Sequence, residues 1–514
     1  MKVSSWAPLI DRLRIDLKEH PQFSDAVWKG VDHGASVASF KSAMRLARTV
    51  KDTIDFEWRF GNVKYDNLTL VGHSLGGLLV RQAYLLATGC YENEPASDWA
   101  GKVSKIVLLA GINRGLWLEH PLMRFADVLT RSLGTVFRRR MLIQDLIRGS
   151  EFITDLRIRW IRHFRTRQTP PPVTQILGGR DHVVSRGDNI DLEQFPGAEH
   201  ITIPDVRHGD LPMIDENNNG DKCYIAIRSA ICGKPVQHAD EPLSVDGKKT
   251  VVFILHGIRA ANRGWTNELE DILRKTWSPK DVEFVPMGYG HLSALEFAFP
   301  FLHRRPIRLF QNKYTDYLAT NPTANFHFVG HSNGTYILGQ SLQALGGMKF
   351  KRVALAGSVL PRDFPWRKLM SRKQVEELRN DQANKDLPVA WLCSGLRGFG
   401  RRDVGVGGYQ GFNDDDNHVV QYSFIEGDHG AALDESNLPS LATFVTGGIS
   451  NHEKPSDLTN EVPWVKWVSR FSPVLFWLLV AIAAAMAILV FYKALGGVYL
   501  PLAIFVAVVV LLLI

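Results

Sequence analysis

Leu68-Thr69-Leu70-Val71-Gly72-His73-Ser74-Leu75-Gly76-Gly77 and Phe326-His327-Phe328-Val329-Gly330-His331-Ser332-Asn333-Gly334 are the two stretches on which the fold turns. Each is an apolar, strand-like run that ends in Gly-x-Ser-x-Gly. Each then passes into a helix-forming segment, Leu78 to Ala87 in the first and Tyr336 to Leu345 in the second. A sharp strand-to-helix turn crowds the serine into a strained backbone conformation and lifts its hydroxyl above a sheet. The two flanking glycines give it room, and the helix N-terminus behind it favours developing negative charge. One such motif arises easily by chance, whereas two in equivalent places do not.

The equivalence extends upstream. Trp6-Ala-Pro-Leu-Ile-Asp-Arg-Leu-Arg14 echoes Trp265-Thr-Asn-Glu-Leu-Glu-Asp-Ile-Leu-Arg274, and the interval from tryptophan to serine differs by one residue between the copies. An internal duplication follows. After each serine helix comes a further strand with a glycine exit, Lys105 to Gly111 and Arg352 to Gly357. Strands alternating with helices, and too apolar to have a wet face, predict a parallel sheet covered on both sides. The expected organisation is an α/β domain at 1–236, a linker at 237–248 rich in Pro, Asp and Lys, and a second α/β domain at 249–447. A tether at 448–470 and two membrane helices at 471–514 complete it.

The copies differ at their starts. The second opens with a strand, Val251 to Leu255, running into His256-Gly257 ahead of Trp265. The first begins at Trp6, so either it starts upstream of Met1 or it has lost an element.

The chain of 514 residues is 45% hydrophobic and 22% charged, enough for well-packed domains and too apolar for general disorder. A formal charge of +7 is small for this length, so it points more to a membrane surface than to nucleic acid. Cys90, Cys223, Cys232 and Cys393 show no CxxC spacing, which indicates neither a disulfide framework nor a zinc site and fits a reducing compartment. The N-terminus has no signal-peptide pattern. Phe471 to Tyr492 and Val498 to Ile514 are almost wholly apolar, with Lys493 and Gly496-Gly497 between, and each approaches the length that spans a bilayer. Lys466 and Arg470 on the flank place the large N-terminal part in the cytoplasm. A pair of buried core helices is the bland alternative.

A serine hydroxyl is a poor nucleophile at neutral pH and needs an imidazole base, which in turn needs a carboxylate to fix its tautomer. Downstream of Ser74 the strand Val173 to Leu177 runs into Gly178-Gly179-Arg180-Asp181, and the strand His200 to Ile203 leads to Asp205-Val-Arg-His208. Asp181 is therefore the expected acid and His208 the base, with His182 a weaker competitor beside the acid. In the second copy the base is His429, directly after the strand Val419 to Ile425. Asp386 is the favoured acid, ahead of a segment expected to be helical. Asp403 competes, because its interval to His429 matches that from Asp181 to His208 within one residue. It lies in a glycine-rich stretch that would hold a carboxylate loosely. An oxyanion hole needs two backbone donors. The second copy offers Asn333 and Ile258, the first only Leu75.

With these residues in view, the chain resembles two members of the α/β-hydrolase superfamily in tandem. The first copy is similar to bacterial lipases and esterases through Gly72-His-Ser-Leu-Gly-Gly77, Gly178-x-x-Asp181-x-Val183 and Gly149-Ser150-Glu151-Phe152-Ile153-x-x-Leu156. That resemblance implies carboxylic ester hydrolysis through an acyl-enzyme, without metal or organic cofactor. The second copy departs from it at Asn333 and at the glycine-rich region Gly398 to Gly411. Between Gly111 and Pro170 the first copy carries Arg138-Arg139-Arg140 and Arg157-Ile-Arg159-Trp-Ile-Arg162-His-Phe-Arg165, which read either as a basic cap resting on anionic lipid or as a solvated lid helix. Asn413-Asp414-Asp415-Asp416-Asn417 lacks the spacing of a calcium loop and reads as a polar turn. Two functions from different classes remain: a membrane-anchored serine esterase or lipase, and a membrane-tethered scaffold or binding protein built from degenerate hydrolase domains.

Overall fold

The computed structural model describes residues 6–35, 39–116, 141–166, 170–181, 198–214, 220–233, 248–257, 264–287, 304–398, 400–414, 416–451 and 453–494. They form two compact units. Unit 1 comprises Met1–Lys249 with Arg308–Ala324 and Ala344–Met348, and unit 2 comprises Thr250–Ile307, Asn325–Gln343 and Lys349–Ile514.

Unit 1 is built on a four-stranded sheet in which β1 (Leu68–His73), β2 (Val103–Leu109), β3 (Val173–Gly178) and β4 (Ala198–Ile203) lie side by side in that order, all parallel. β3 is buried at every position and β2 at all but one, because helices cover both faces. On one face α1 (Ala7–Asp16) contributes Leu9 and Leu13, and Cys223, Tyr224 and Ile227 come from a helix at Gly220–Cys232. These meet Val107, Leu109, Ile176 and Ile203 of the sheet. α2 (Ala43–Phe60) and α3 (Leu75–Ala87) pack against each other, and α4 (Glu151–Thr166) packs on α3.

Unit 2 has a six-stranded parallel sheet. Its strands are β5 (Thr250–Leu255), β6 (Val282–Met287), β7 (Asn325–His331), β8 (Phe350–Ala356), β9 (Val375–Ala383) and β10 (Val419–Ile425), in the order β10-β9-β8-β7-β5-β6. Four consecutive strands at one end of this sheet repeat the plan of unit 1, with β7 to β10 in the places of β1 to β4. β5 and β6 extend the sheet beyond the serine strand. Among the described residues no strand does so in unit 1.

The arginines of α4 are not arrayed for lipid or solvent. Arg157 is buried, Arg159 pairs with Asp155 at 2.7 Å, and Arg162 donates to Tyr314 and to the Gly347 carbonyl. The helix turns its guanidiniums inward because polar partners wait there, so the lipid-facing cap is not what α4 builds. Arg138, Arg139 and Arg140 lie outside the described residues.

The C-terminal region also departs from expectation. Residues 453–472 lie against unit 2: the Ser440 hydroxyl donates to the Glu453 carbonyl, the Thr459 amide to Phe424, and the Glu426 amide to Asp457. This covers the outer edge of β10, which would otherwise present unpaired backbone groups. A long helix, Pro463–Ala494, then runs unbroken through the first apolar run, with Val465, Ser469 and Ser472 buried at its start. Among the described residues no helix is long and apolar enough to cross a membrane. The expected transmembrane hairpin is therefore not found, and its second run, 498–514, lies outside the described residues.

Candidate active site

Ser74 and Ser332 both occupy the turn between a strand and the helix after it, α3 for Ser74 and α5 (Asn333–Ala344) for Ser332. Both backbones take left-handed values, φ 52° and φ 53°, which non-glycine residues rarely adopt. The turn is fixed from behind by the next strand: the Ser74 amide donates to the Leu109 carbonyl at 2.8 Å and the Ser332 amide to Ala356 at 3.0 Å. Leu75 and Asn333 are the first residues of their helices. Ile258 lies outside the described residues, as does His182.

The acids and bases come from the strand ends beyond. In unit 1 Asp181 follows β3, and its Oδ2 accepts from His208 Nδ1 at 2.8 Å. His208 Nε2 then meets Ser74 Oγ, also at 2.8 Å. The Asp181 side chain is 0% exposed and His208 20%. A carboxylate that can only accept makes His208 carry its proton on Nδ1, which leaves Nε2 free to take one from the serine.

Unit 2 repeats the arrangement. Asp386 stands three residues beyond β9, as Asp181 stands three beyond β3. Both its oxygens lie 2.9 Å from His429 Nδ1, and the side chains are 0% and 19% exposed. The backbones match bond for bond. Gly179 donates to Ile203 and Arg180 to Val206, as Asn384 donates to Ile425 and Lys385 to Gly427. Unlike His208 and Ser74, His429 and Ser332 are joined by no hydrogen bond among the described residues.

Burial works against a charge on His429, but the charge and hydrogen bond of Asp386, with Asp428 nearby, outweigh it and raise the imidazole above its ordinary value. Asp403 is engaged elsewhere. Its carboxylate accepts from Tyr336 at 2.5 Å and from Arg401 at 2.7 and 2.9 Å. Burial opposes its ionisation, yet Arg401 and Tyr336 hold it below the usual carboxylate range. The glycine-rich stretch around it is firmly anchored, with Gly405, Gly407 and Gly408 donating to the carbonyls of Val359, Leu360 and Ser358.

Three features of the sites escaped the sequence. The histidine before each serine donates its Nε2–H to the backbone carbonyl of the base, His73 to His208 at 2.9 Å and His331 to His429 at 3.0 Å. Gly257 presses on the nucleophile: a Cβ there would stand 2.7 Å from Ser332 Cβ and 3.2 Å from its Oγ. A buried amide side chain also stands three residues before the end of each acid-bearing strand, Gln175 on β3 and Asn380 on β9. Gln175 donates to the Gly111 carbonyl and Asn380 to the Gly407 carbonyl. The glycine against the serine was a readable signal, since Gly257 sits in a His-Gly strand exit. For the histidines the readable signal was their recurrence immediately before the serine in both copies, while the carbonyl each one holds was not readable.

Among the described residues no cluster of His, Cys, Asp and Glu could hold a metal ion. Asp414 and Asp416 instead accept backbone amides of Arg367, Asp416 and His418, as in a polar turn. A cavity of about 330 Å³ in unit 2 is lined by Arg362, Asp363, Arg397, Val406, Gln410 and Asn413, and none of the serine, histidine or acid residues of the site contributes to it.

No protein-family description matches this chain, and no curated protein is similar to it. Among solved structures it is similar to a monoacylglycerol lipase of Paleococcus ferrophilus, at 16% identity and a TM-score of 0.25, covering 37% of this chain and 75% of the lipase. It is likewise similar to the esterase Est2 of Thermogutta terrifontis solved with butyrate, at 13% identity and a TM-score of 0.25, covering 37% of this chain and 66% of that one.

Proposed function

We propose that this chain is a membrane-anchored serine hydrolase with two α/β-hydrolase domains, cleaving carboxylic esters through Ser74-His208-Asp181 and Ser332-His429-Asp386. The observation that carries the reading is the unbroken run from buried carboxylate to imidazole to strained serine in unit 1, with both contacts at 2.8 Å. In this mechanism Ser74 Oγ attacks the ester carbonyl carbon as its proton passes to His208 Nε2, and Asp181 balances the resulting imidazolium. The amide of Leu75 donates to the oxyanion, and in unit 2 those of Asn333 and Ile258 do so. His208 returns the proton to the departing alcohol, and a water molecule activated by the same imidazole releases the acid from the acyl-enzyme. The membrane anchor, with both hydrolase domains on the cytoplasmic side, rests on the apolar sequence of 471–492 and 498–514 with Lys466 and Arg470 at its margin and not on a membrane-spanning helix among the described residues, and the free cysteines agree with a reducing compartment.

Fluorophosphonate labelling of the intact protein and of its Ser74→Ala and Ser332→Ala variants tests this. Each single variant is expected to lose one of two labelled sites and the double variant both. If neither serine reacts, the scaffold reading replaces the enzymatic one.

A further inference from the structure

The bases of both sites stand far across the sheet from their serines. His208 and His429 follow β4 and β10, which lie three strands away from the serine strands β1 and β7 and are, among the described residues, the last strands of their sheets. The loops that carry them turn sharply, through Asp205 at φ 62° in unit 1 and Gly427 at φ 134° in unit 2. A base that drifts by about 1 Å costs on the order of 100-fold in rate, so something must fix these loops relative to the serine.

We propose that His73 and His331 are positioning residues that lock each catalytic base to the strand carrying its own nucleophile. This rests on the assignment of the two triads above. Each of these histidines is the residue immediately before its serine, at the end of β1 or β7. A backbone carbonyl can only accept, so the bond from His73 to the His208 carbonyl puts the proton on Nε2, and the bond from His331 to His429 does the same. Burial keeps both rings neutral, His73 down to about 4 and His331 to about 3, so neither competes with the base for protons at neutral pH. The rings also lie against the bases they hold, with centroids 5.3 and 4.6 Å apart and planes at 44° and 46°. The same bond, tautomer and ring geometry recur in two copies whose surrounding loops differ in length and sequence. A packing accident would not be expected to survive that divergence in both.

The test separates the hydrogen bond from the ring. In a Ser332→Ala background, His73→Phe keeps the ring and removes the donor, whereas His73→Gln keeps an N–H at about the same reach. With a soluble p-nitrophenyl ester as substrate, His73→Phe is expected to lower kcat about 10- to 100-fold with KM little changed. His73→Gln is expected to recover most of that loss. Equal activity in the two variants would overturn the proposal, as would a loss confined to KM. Should His73→Phe fail to fold, His331→Phe and His331→Gln in a Ser74→Ala background put the same question to the other copy. Absence of fluorophosphonate labelling in the parent protein would instead remove the hydrolase reading itself, and that outcome is distinguishable from parity between the Phe and Gln variants.

Discussion

The two sites are built on the same four strands and differ in what lies beyond them. In unit 1 the triad is closed from Asp181 to Ser74, but among the described residues no strand flanks β1 on its outer side. In unit 2 the strands β5 and β6 are present and bring Gly257 against Ser332, while among the described residues the imidazole is bonded to its acid and not to the serine. Alignment of carboxylate and imidazole is thus a property of the four strands the two sheets share and of their loops. The close approach of Gly257 to Ser332 is a separate property, supplied by the strand beyond. The separation makes each half a control for the other.

The comparison breaks most visibly at the acids. Asp181→Asn and Asp386→Asn are each expected to slow fluorophosphonate labelling of their own serine by about 10⁴-fold, because the amide disfavours the imidazole tautomer that the mechanism needs. Labelling of the other serine is expected to be unchanged. Asp403→Asn is the decisive contrast. It removes the partner of Tyr336 and Arg401, so it lowers stability by about 1 to 3 kcal/mol while leaving the labelling of Ser332 intact. A loss of Ser332 labelling in Asp403→Asn would mean that the second acid has been misassigned.

Why Asp386 was not certain from the sequence is itself physical. Spacing favoured Asp403, and spacing misled because unit 2 inserts the anchored glycine-rich segment between acid and base, so that 43 residues separate Asp386 from His429 where 27 separate Asp181 from His208. Position relative to a strand end was the reliable signal, but β9 hides its own identity. Val-Glu-Glu-Leu-Arg-Asn-Asp-Gln-Ala buries Arg379 against Asp381 at 2.9 Å, both fully enclosed, with Arg379 also donating to the Ser440 carbonyl. A hydrophobic pattern cannot announce a strand whose core side chains are a compensated ion pair. The other strands near the site were legible because apolar and β-branched residues dominate them and none carries a buried ion pair among the described residues, and the serines because a strand, a glycine pair and a helix agree. The bonds of the carbonyl-holding histidines were not, since their partner is a backbone atom far along the chain.

A smaller effect probes the strand exits that face the bases. Gly357 follows β8 at φ 51°, and a Cβ there would stand 2.8 Å from Cε1 and Nδ1 of His429. Ala110, in the same place after β2, already carries a Cβ at φ 44°. Gly357→Ala is therefore expected to displace the second imidazole and slow labelling of Ser332 about 100-fold, with no effect on Ser74. If the variant labels normally, His429 has more room than this geometry allows and the two sites are less alike than their hydrogen bonds imply.

The smallest effect is a shift in pH dependence. His429 must be neutral to take a proton, and Asp386 and Asp428 raise its affinity for one above the ordinary imidazole value of about 6.5. Labelling of Ser332 is therefore expected to fall as pH drops through a midpoint above that value. Stability runs the other way. A histidine bound more tightly to its proton in the folded state adds stability that is fully present below the unfolded value and is lost as pH rises through the folded one. The pH range in which the second site reacts is thus the range in which its base contributes least to holding the fold together. Asp428→Asn removes the weakest of the raising influences without touching the Asp386 bond, so it is expected to move the labelling midpoint down by a fraction of a pH unit and leave the plateau rate unchanged. A midpoint that stays put, measured on Ser332 in a Ser74→Ala background, would show that Asp386 alone sets the proton affinity of this base.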